Sequence, residues 1–469
     1  MLIHTVKSGE TLWLIANEYN VPMEPIILAN GLANPNLLAV GEALVIPTGE
    51  AVHTVRPGET LGSIARSYGV SVSYILRSNS ISNPDTIYPG QAVYIPPSRY
   101  VVRRGDTLGS ISRRLGVPLS ELLEANIIAD PDRINPGLVL NIPLRQRPEI
   151  SVNGYIYMLG QQAVPIVRRD GGFLTYLSPF AYLIRENGSL QPIDDEPALA
   201  AAAQAGVIPM MAVTNFTATS RGENLASIVL NDSATVGQLL NNIIETMRQK
   251  GYRGLNVDFE NVLPGDRQAY NSFLDRAAGM LHMNGYFLST AVAPKTGPEQ
   301  AGLLYEAHDY PAHGRIADFV ILMTYEWGYR KGPPQPISPI NEIRRVLDYA
   351  ISVIPRSKIF FGFQIYARDW TLPHRTGDEA ETISPQEAVD RALRYGAEIR
   401  YDETAQSPFF NYTDSSGIRH EVWFEDARSA QAKFDAVREY GLAGISYWAL
   451  GYPFPQNWFL LADNFRIRR

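Results

Sequence analysis

The chain has 469 residues, 45% of them hydrophobic and 19% charged, so it carries enough apolar material for more than one packed core and is not a disordered polymer. It contains no cysteine, which removes disulfide staples, thiolate metal sites and cysteine nucleophiles together. The formal charge of -7 spares the first 150 residues, which hold 12 Lys+Arg against 13 Asp+Glu; with no polybasic arm for nucleic acid or an anionic membrane, a neutral polymer is the more natural partner.

Met1 to Lys7 has neither the charged start nor the apolar stretch of a secretory signal, which implies a chain not exported by that route or one whose signal has been cut away. The residues then repeat. His4-Thr5-Val6-Lys7-Ser8-Gly9-Glu10-Thr11-Leu12 returns as His53 to Leu61 and again as Tyr100 to Leu108, and the copies close on Val45-Ile46-Pro47, Tyr94-Ile95-Pro96 and Asn141-Ile142-Pro143. Within each copy an acidic residue and a Thr suit a helix N-terminus. In the second, Leu61, Ile64, Ala65 and Tyr68 share one helical face, and Val72, Ile75 and Leu76 continue on a second helix. The copies occupy residues 1–49, 50–98 and 99–147 as small βααβ units. The short linkers at Thr48 to Val52, Pro97-Ser98 and Leu144 to Pro148, each beside or containing a proline, read as semi-rigid spacers.

This pattern resembles the LysM module, over residues 4 to 143. The resemblance implies binding of N-acetylglucosamine-containing glycans around Gly9, Thr11 and Leu12, around Gly58, Thr60 and Leu61, and around Gly105, Thr107 and Leu108. Read as residues alone, the same glycines and threonines serve equally as turns and caps. Tandem weak sites favour a polymer through avidity.

Residues 148–469 alternate apolar strand-like runs with amphipathic segments. Eight strands are predicted, at Gly154 to Tyr157, Phe180 to Ile184, Val207 to Val213, Gly254 to Glu260, Phe287 to Ala293, Phe319 to Tyr325, Ile359 to Tyr366 and Gly444 to Trp448. Helical spacing falls between most of them, as at Thr235 to Lys250, Arg267 to Met283, Ile340 to Ile354 and Ala427 to Tyr440. The expected fold class is α/β, a (β/α)8 TIM barrel whose chemistry sits at the C-terminal ends of its strands. The long seventh connection, with a helix near Pro385 to Tyr395 and a hairpin around Asp414-Ser415-Ser416-Gly417, predicts a small α+β insertion over the barrel mouth. No run of roughly twenty apolar residues offers a membrane span.

On the fourth strand, alternation points Asn256, Asp258 and Glu260 one way and Leu255, Val257 and Phe259 the other. Three polar groups directed into a barrel are unfavourable unless partly solvated and used. Carboxylates at i and i+2 stand roughly 6 to 7 Å apart, close enough to perturb each other's proton affinity. The natural division makes Glu260 the general acid and Asp258 its ionised partner.

The segment Arg253-Gly254-Leu255-Asn256-Val257-Asp258-Phe259-Glu260 resembles the DxxDxDxE pattern of the family 18 glycoside hydrolases at its last two acidic positions and departs from it at the first two. The resemblance implies that Glu260 is the acid/base and that Asp258 orients the substrate's N-acetyl group, whose oxygen attacks the anomeric carbon, so no protein nucleophile is required. With Asn256 in place of Asp, a proton-sharing partner beneath Asp258 is lost, which predicts an altered pH dependence with activity kept. Leu322-Met323-Thr324-Tyr325-Glu326-Trp327 resembles the family's sixth-strand motif, implying that Tyr325 bonds the N-acetyl oxygen beside Met323. Gly444 to Gly451 resembles the eighth-strand ending, implying Trp448 as the floor under the sugar. Tyr366, Arg368, Asp369 and Trp370 are further candidate contacts. No glycine-rich phosphate loop follows a strand, and the seven histidines, His4, His53, His282, His308, His313, His374 and His420, show no metal-ligand spacing, so neither cofactor nor metal is expected.

LysM copies fused to this barrel, with Trp327-Gly328 and Pro333-Pro334 after the sixth strand, resemble the spore cortex-lytic N-acetylglucosaminidases of spore-forming bacteria. That implies a retaining peptidoglycan hydrolase working in the spore coat or cortex region during germination; a monomer is expected. A chitinase of the same mechanism, a weakly catalytic lectin, and a cell-wall or extracellular location are the alternatives.

Overall fold

A computed structural model describes every residue except 80, 82, 86, 129 and 217–221. Each repeat is a two-stranded antiparallel sheet closed over two helices. In the first, Leu2–Thr5 pairs with Ala43–Ile46 around helices Leu12–Tyr19 and Met23–Asn30; the second and third repeat the plan with Ala51–Thr54 against Ala92–Ile95 and Arg99–Val101 against Val139–Asn141. Thr11, Thr60 and Thr107 cap the first helix of each copy, accepting from the backbone N–H three residues on, and Ser63 and Ser110 return the bond in the second and third copies. An asparagine outside the repeat motif recurs in all three: Asn30, Asn79 and Asn126 each clip the second helix to the closing strand, bonding both the N–H and the carbonyl of a residue 15 positions on.

The linkers are not spacers. Thr48, Glu50 and Arg147 are buried, and Arg147 donates to the Phe465 carbonyl at 2.9 Å and lies 3.9 Å over the Tyr94 ring. The physical reason is that helix Pro455–Asn464, against which the repeats pack, ends in carbonyls that need donors once covered. Gln456 on that helix donates to Asn30 Oδ1 (2.9 Å) and to the Ala43 carbonyl (2.6 Å), and Tyr94 donates to Asp463 (2.7 Å). Gly41 and Gly172 permit close approach, since a Cβ at Gly41 would lie 1.8 Å from the Ile399 carbonyl oxygen and one at Gly172 2.3 Å from the Gly90 carbonyl oxygen. The third repeat reaches the first through Arg103, which donates to the Tyr19 carbonyl at 2.6 Å.

The C-terminal region is a closed barrel of eight parallel strands: Glu149–Ile156, Tyr176–Pro179, Ile208–Thr214, Gly254–Asp258, Phe287–Val292, Phe319–Leu322, Ile359–Gln364 and Gly444–Trp448, the last pairing back onto the first. The second strand lies earlier than expected. Residues Tyr182–Ile184 instead extend past its end, pairing with the tip of the third strand and with Leu190–Gln191. On the fourth strand the alternation is as expected, with Leu255, Val257 and Phe259 packed among residues of helices Ser233–Lys250 and Arg267–Met283. Phe259 stacks on Tyr270 (5.7 Å) and Phe273 (5.5 Å). The insertion after the seventh strand is larger than a helix and hairpin: five antiparallel strands between Ala367 and Trp423 with helix Pro385–Tyr395 against them.

Candidate active site

At the C-terminal end of the barrel a cleft of about 1190 Å³ is lined by Tyr155, Tyr157, Asp258, Glu260, Met323, Tyr325, Glu326, Tyr366, Arg368 and Trp448, with loop residues around them. Its size suits an oligosaccharide. Six of the expected site residues therefore meet in one place: Asp258, Glu260, Met323, Tyr325, Tyr366 and Trp448. Four of them stand just past the ends of their strands, because pairing stops at Asp258, Leu322 and Gln364 and leaves Glu260, Met323, Tyr325 and Tyr366 to line the cleft.

The placement of Asn256 departs from the expected substrate contact. It is fully buried one level below the cleft, where Tyr155 donates to its Oδ1 at 2.7 Å and its Nδ2 donates to Ser289 at 2.9 Å. Its amide is used up by those neighbours, and Oδ1 of Asp258, 4% exposed as a residue, is buried with no hydrogen-bond partner among the described residues. Burial raises the Asp258 carboxyl well above the usual carboxylate range. Glu260 is raised as well, by burial first and then by the charges of Asp258 and Glu326. A carboxyl kept protonated at neutral pH at the mouth of a cleft is able to donate a proton.

The third carboxyl of the cleft is tied down. Glu326 has φ 68°, a costly left-handed conformation, and its Oε1 accepts from Arg368 Nη2 at 2.7 Å and from the Tyr366 hydroxyl. Arg368 also lies 4.4 Å over the Tyr366 ring. Glu326 directly follows Tyr325 in the sixth-strand segment, which was the available sequence signal. Trp448 is set by its neighbours, edge-on to Phe180 (4.8 Å, 82°) and to Tyr155 (5.5 Å, 69°). Of the weaker candidates after the seventh strand, Arg368 reaches the cleft, but Asp369 and Trp370 do not. Asp369 turns into the insertion and is bonded by Arg391 (2.5 Å), Tyr412 (2.6 Å) and His420 (2.7 Å), while buried Trp370 donates to the Gly332 carbonyl (2.8 Å).

In the repeats, Gly9, Gly58 and Gly105 hold φ between 82° and 89° and face open space, a conformation that suits glycine at an accessible turn. Thr11, Thr60 and Thr107 follow as caps. Leu12, Leu61 and Leu108 are buried in the three small cores, so their side chains pack and do not meet a glycan.

Residues 176–452 match Glycosyl hydrolases family 18, and residues 4–47, 53–96 and 100–143 each match the LysM domain. The chain is 46% identical over 332 residues to the cortical fragment-lytic enzyme of Bacillus subtilis (strain 168), covering 69% of this chain and 77% of that protein. Among solved structures it is similar to the spore cortex-lytic enzyme SleL of Bacillus megaterium QM B1551, with a TM-score of 0.71 and 39% identity over 89% of this chain and 99% of that one. A chitinase from Chromobacterium violaceum ATCC 12472 is more distant, with a TM-score of 0.62 and 27% identity over 67% of this chain and 98% of that one.

Proposed function

This chain belongs to glycosyl hydrolase family 18 and carries three LysM domains ahead of its barrel, and from that premise we propose that it hydrolyses the N-acetylglucosaminyl β-1,4 bonds of spore-cortex peptidoglycan with Glu260 as the acid. Glu260 gives its proton to the glycosidic oxygen as that bond breaks. The N-acetyl oxygen of the same sugar, turned by Asp258 and held by Tyr325, closes on the anomeric carbon and forms a cyclic oxazolinium. Water then opens that ring from the opposite face and gives a proton to the Glu260 carboxylate, which restores the acid. Two inversions at one carbon leave its configuration retained.

One observation carries this reading: the cleft holds two carboxyls with raised proton affinity and a third already bonded to Arg368 and Tyr366. An acid and an orienting group are therefore on hand, and the remaining nucleophile is the substrate's own amide. Trp448 gives the apolar floor for the pyranose. Asn256 acts beneath this layer by fixing Tyr155 and Ser289. The LysM domains hold the polymer through the turns at Gly9, Gly58 and Gly105, and the whole works as a monomer.

The cortex is preferred to chitin because the relatives that align over most of the chain are named for cortical fragments and spore cortex. The same reading places the protein in the spore coat or cortex region; no helix among the described residues is long and apolar enough to cross a membrane. Mass analysis of products from purified cortex fragments and from chitin oligomers tests it. Release from cortex fragments at the higher rate is expected, and product from chitin alone would replace this function with that of a chitinase.

A further inference from the structure

Glu260 stands two residues beyond the last ladder pair of its strand, Thr214 with Asp258, and such an overhang would ordinarily be free to move. Two side chains, one just past the end of the third strand and one on the connection after the fifth, continue the sheet in its place. From the third-strand side, fully buried Asn215 accepts from the Glu260 N–H at 2.9 Å and donates from Nδ2 to the Glu260 carbonyl at 2.8 Å, as a backbone partner in a ladder would. From the fifth-strand side, His308 accepts at Nδ1 from the Ala293 N–H (2.8 Å), which leaves the proton on Nε2, and Nε2 donates to the Phe259 carbonyl at 2.9 Å. Burial keeps this imidazole neutral, pushing it down to about 4, so the tautomer stays fixed across ordinary pH. Asn261 then turns the chain away at φ 53°.

We infer that Asn215 and His308 are positioning residues that hold the Asp258-Phe259-Glu260 overhang from both sides, and so fix where the acid meets the glycosidic oxygen. Neither side chain lines the cleft, and neither belongs to a linear motif. They act through backbone groups of the residues on which the proposed chemistry rests, so this inference depends on the reading of Glu260 given above. Displacing a catalytic group by about 1 Å costs on the order of 100-fold in rate.

The test uses the full chain on purified cortex fragments, with thermal melting of every variant. Asn215→Ala is expected to lower kcat by about 30-fold to 100-fold, in keeping with such a displacement, with KM within about twofold of the parent. His308→Ala is expected to do the same, and His308→Gln, whose amide carries an acceptor and a donor, to recover at least about tenfold of that loss. A folded Asn215→Ala with parental kcat overturns the inference, as does a loss confined to KM. If Asn215→Ala melts below the assay temperature, the His308 pair decides: equal activity in the Ala and Gln variants overturns it. Glu260→Gln run alongside separates the two levels. Full activity there removes the acid assignment itself, whereas an inactive Glu260→Gln beside an unaffected Asn215→Ala removes only the positioning.

Discussion

At the turn of the first repeat, Glu10 accepts from the Lys7 N–H at 2.7 Å and stands 2.8 Å from His4 Nε2; Glu59 in the second repeat does the same with Arg56 (2.8 Å) and His53 (2.7 Å). Those contacts, the backbone N–H foremost, hold both carboxyls below the usual carboxylate range. At the barrel mouth Asp258 and Glu260 sit in a drier setting, and burial drives both the other way. The residue type is shared and the chemistry opposite. A carboxyl given donors in water becomes a permanent anion that shapes a turn, and one denied them in a cleft keeps its proton for use.

Glu260→Gln breaks this contrast most severely, since the amide has no proton to give: hydrolysis of cortex fragments should fall by about 1000-fold, within the range that general-acid catalysis supplies, as read from initial rates. Asp258→Asn comes next. It keeps the shape but changes what the N-acetyl group meets, and a loss of about 100-fold in kcat is expected, in line with the loss of a preorganised polar contact.

The pH profile sharpens the contrast with smaller effects. As the proposed acid, Glu260 would work protonated, and its raised affinity keeps that form present as pH rises; activity should be lost as pH climbs through the raised value. The Glu326 charge is one cause of that rise, so Glu326→Gln should move the alkaline limb to lower pH, by about half a unit for a pair near a partly solvated cleft. Asn256→Asp should move it the other way by adding an anion beneath Asp258, and a profile matching the parent would show that position 256 has no such influence. The smallest expected effect lies in the repeats: Thr60→Ala removes a helix cap worth about 1 kcal/mol. It should lower the melting of the second repeat while activity on short soluble fragments stays unchanged.

Much of this fold and site is legible in the sequence. The repeats announce themselves because each small core needs the same few apolar residues behind the same Thr cap. The fourth strand was readable because a strand covered by helices on one face cannot hide Asn256, Asp258 and Glu260 on that face. The second strand was misplaced because Phe180 to Ile184 is the more apolar run, whereas the barrel uses the short Tyr176–Pro179 and lets the later residues ride over its rim. The insertion's sheet was underestimated because its pairs are distant in sequence, such as Arg368 with Trp423. Docking of the repeats is more remote still, resting on contacts such as Tyr94 with Asp463 that no local pattern encodes. Asn215 and His308 escaped for a different reason: each binds the backbone of a site residue, and a backbone carries no sequence signature.

In the proposed reaction the sugar's own amide, with Glu260 as acid, breaks the bond. This is tested most directly with a pair of aryl oligosaccharides that carry N-acetyl or N-trifluoroacetyl on the sugar beside the scissile bond, with product configuration followed by proton NMR. Fluorination weakens the amide oxygen as a nucleophile, so kcat should fall by at least about 100-fold with retention of configuration, as expected when the attacking group itself is impaired. Equal rates for the two substrates, or inversion at the anomeric carbon, would contradict it.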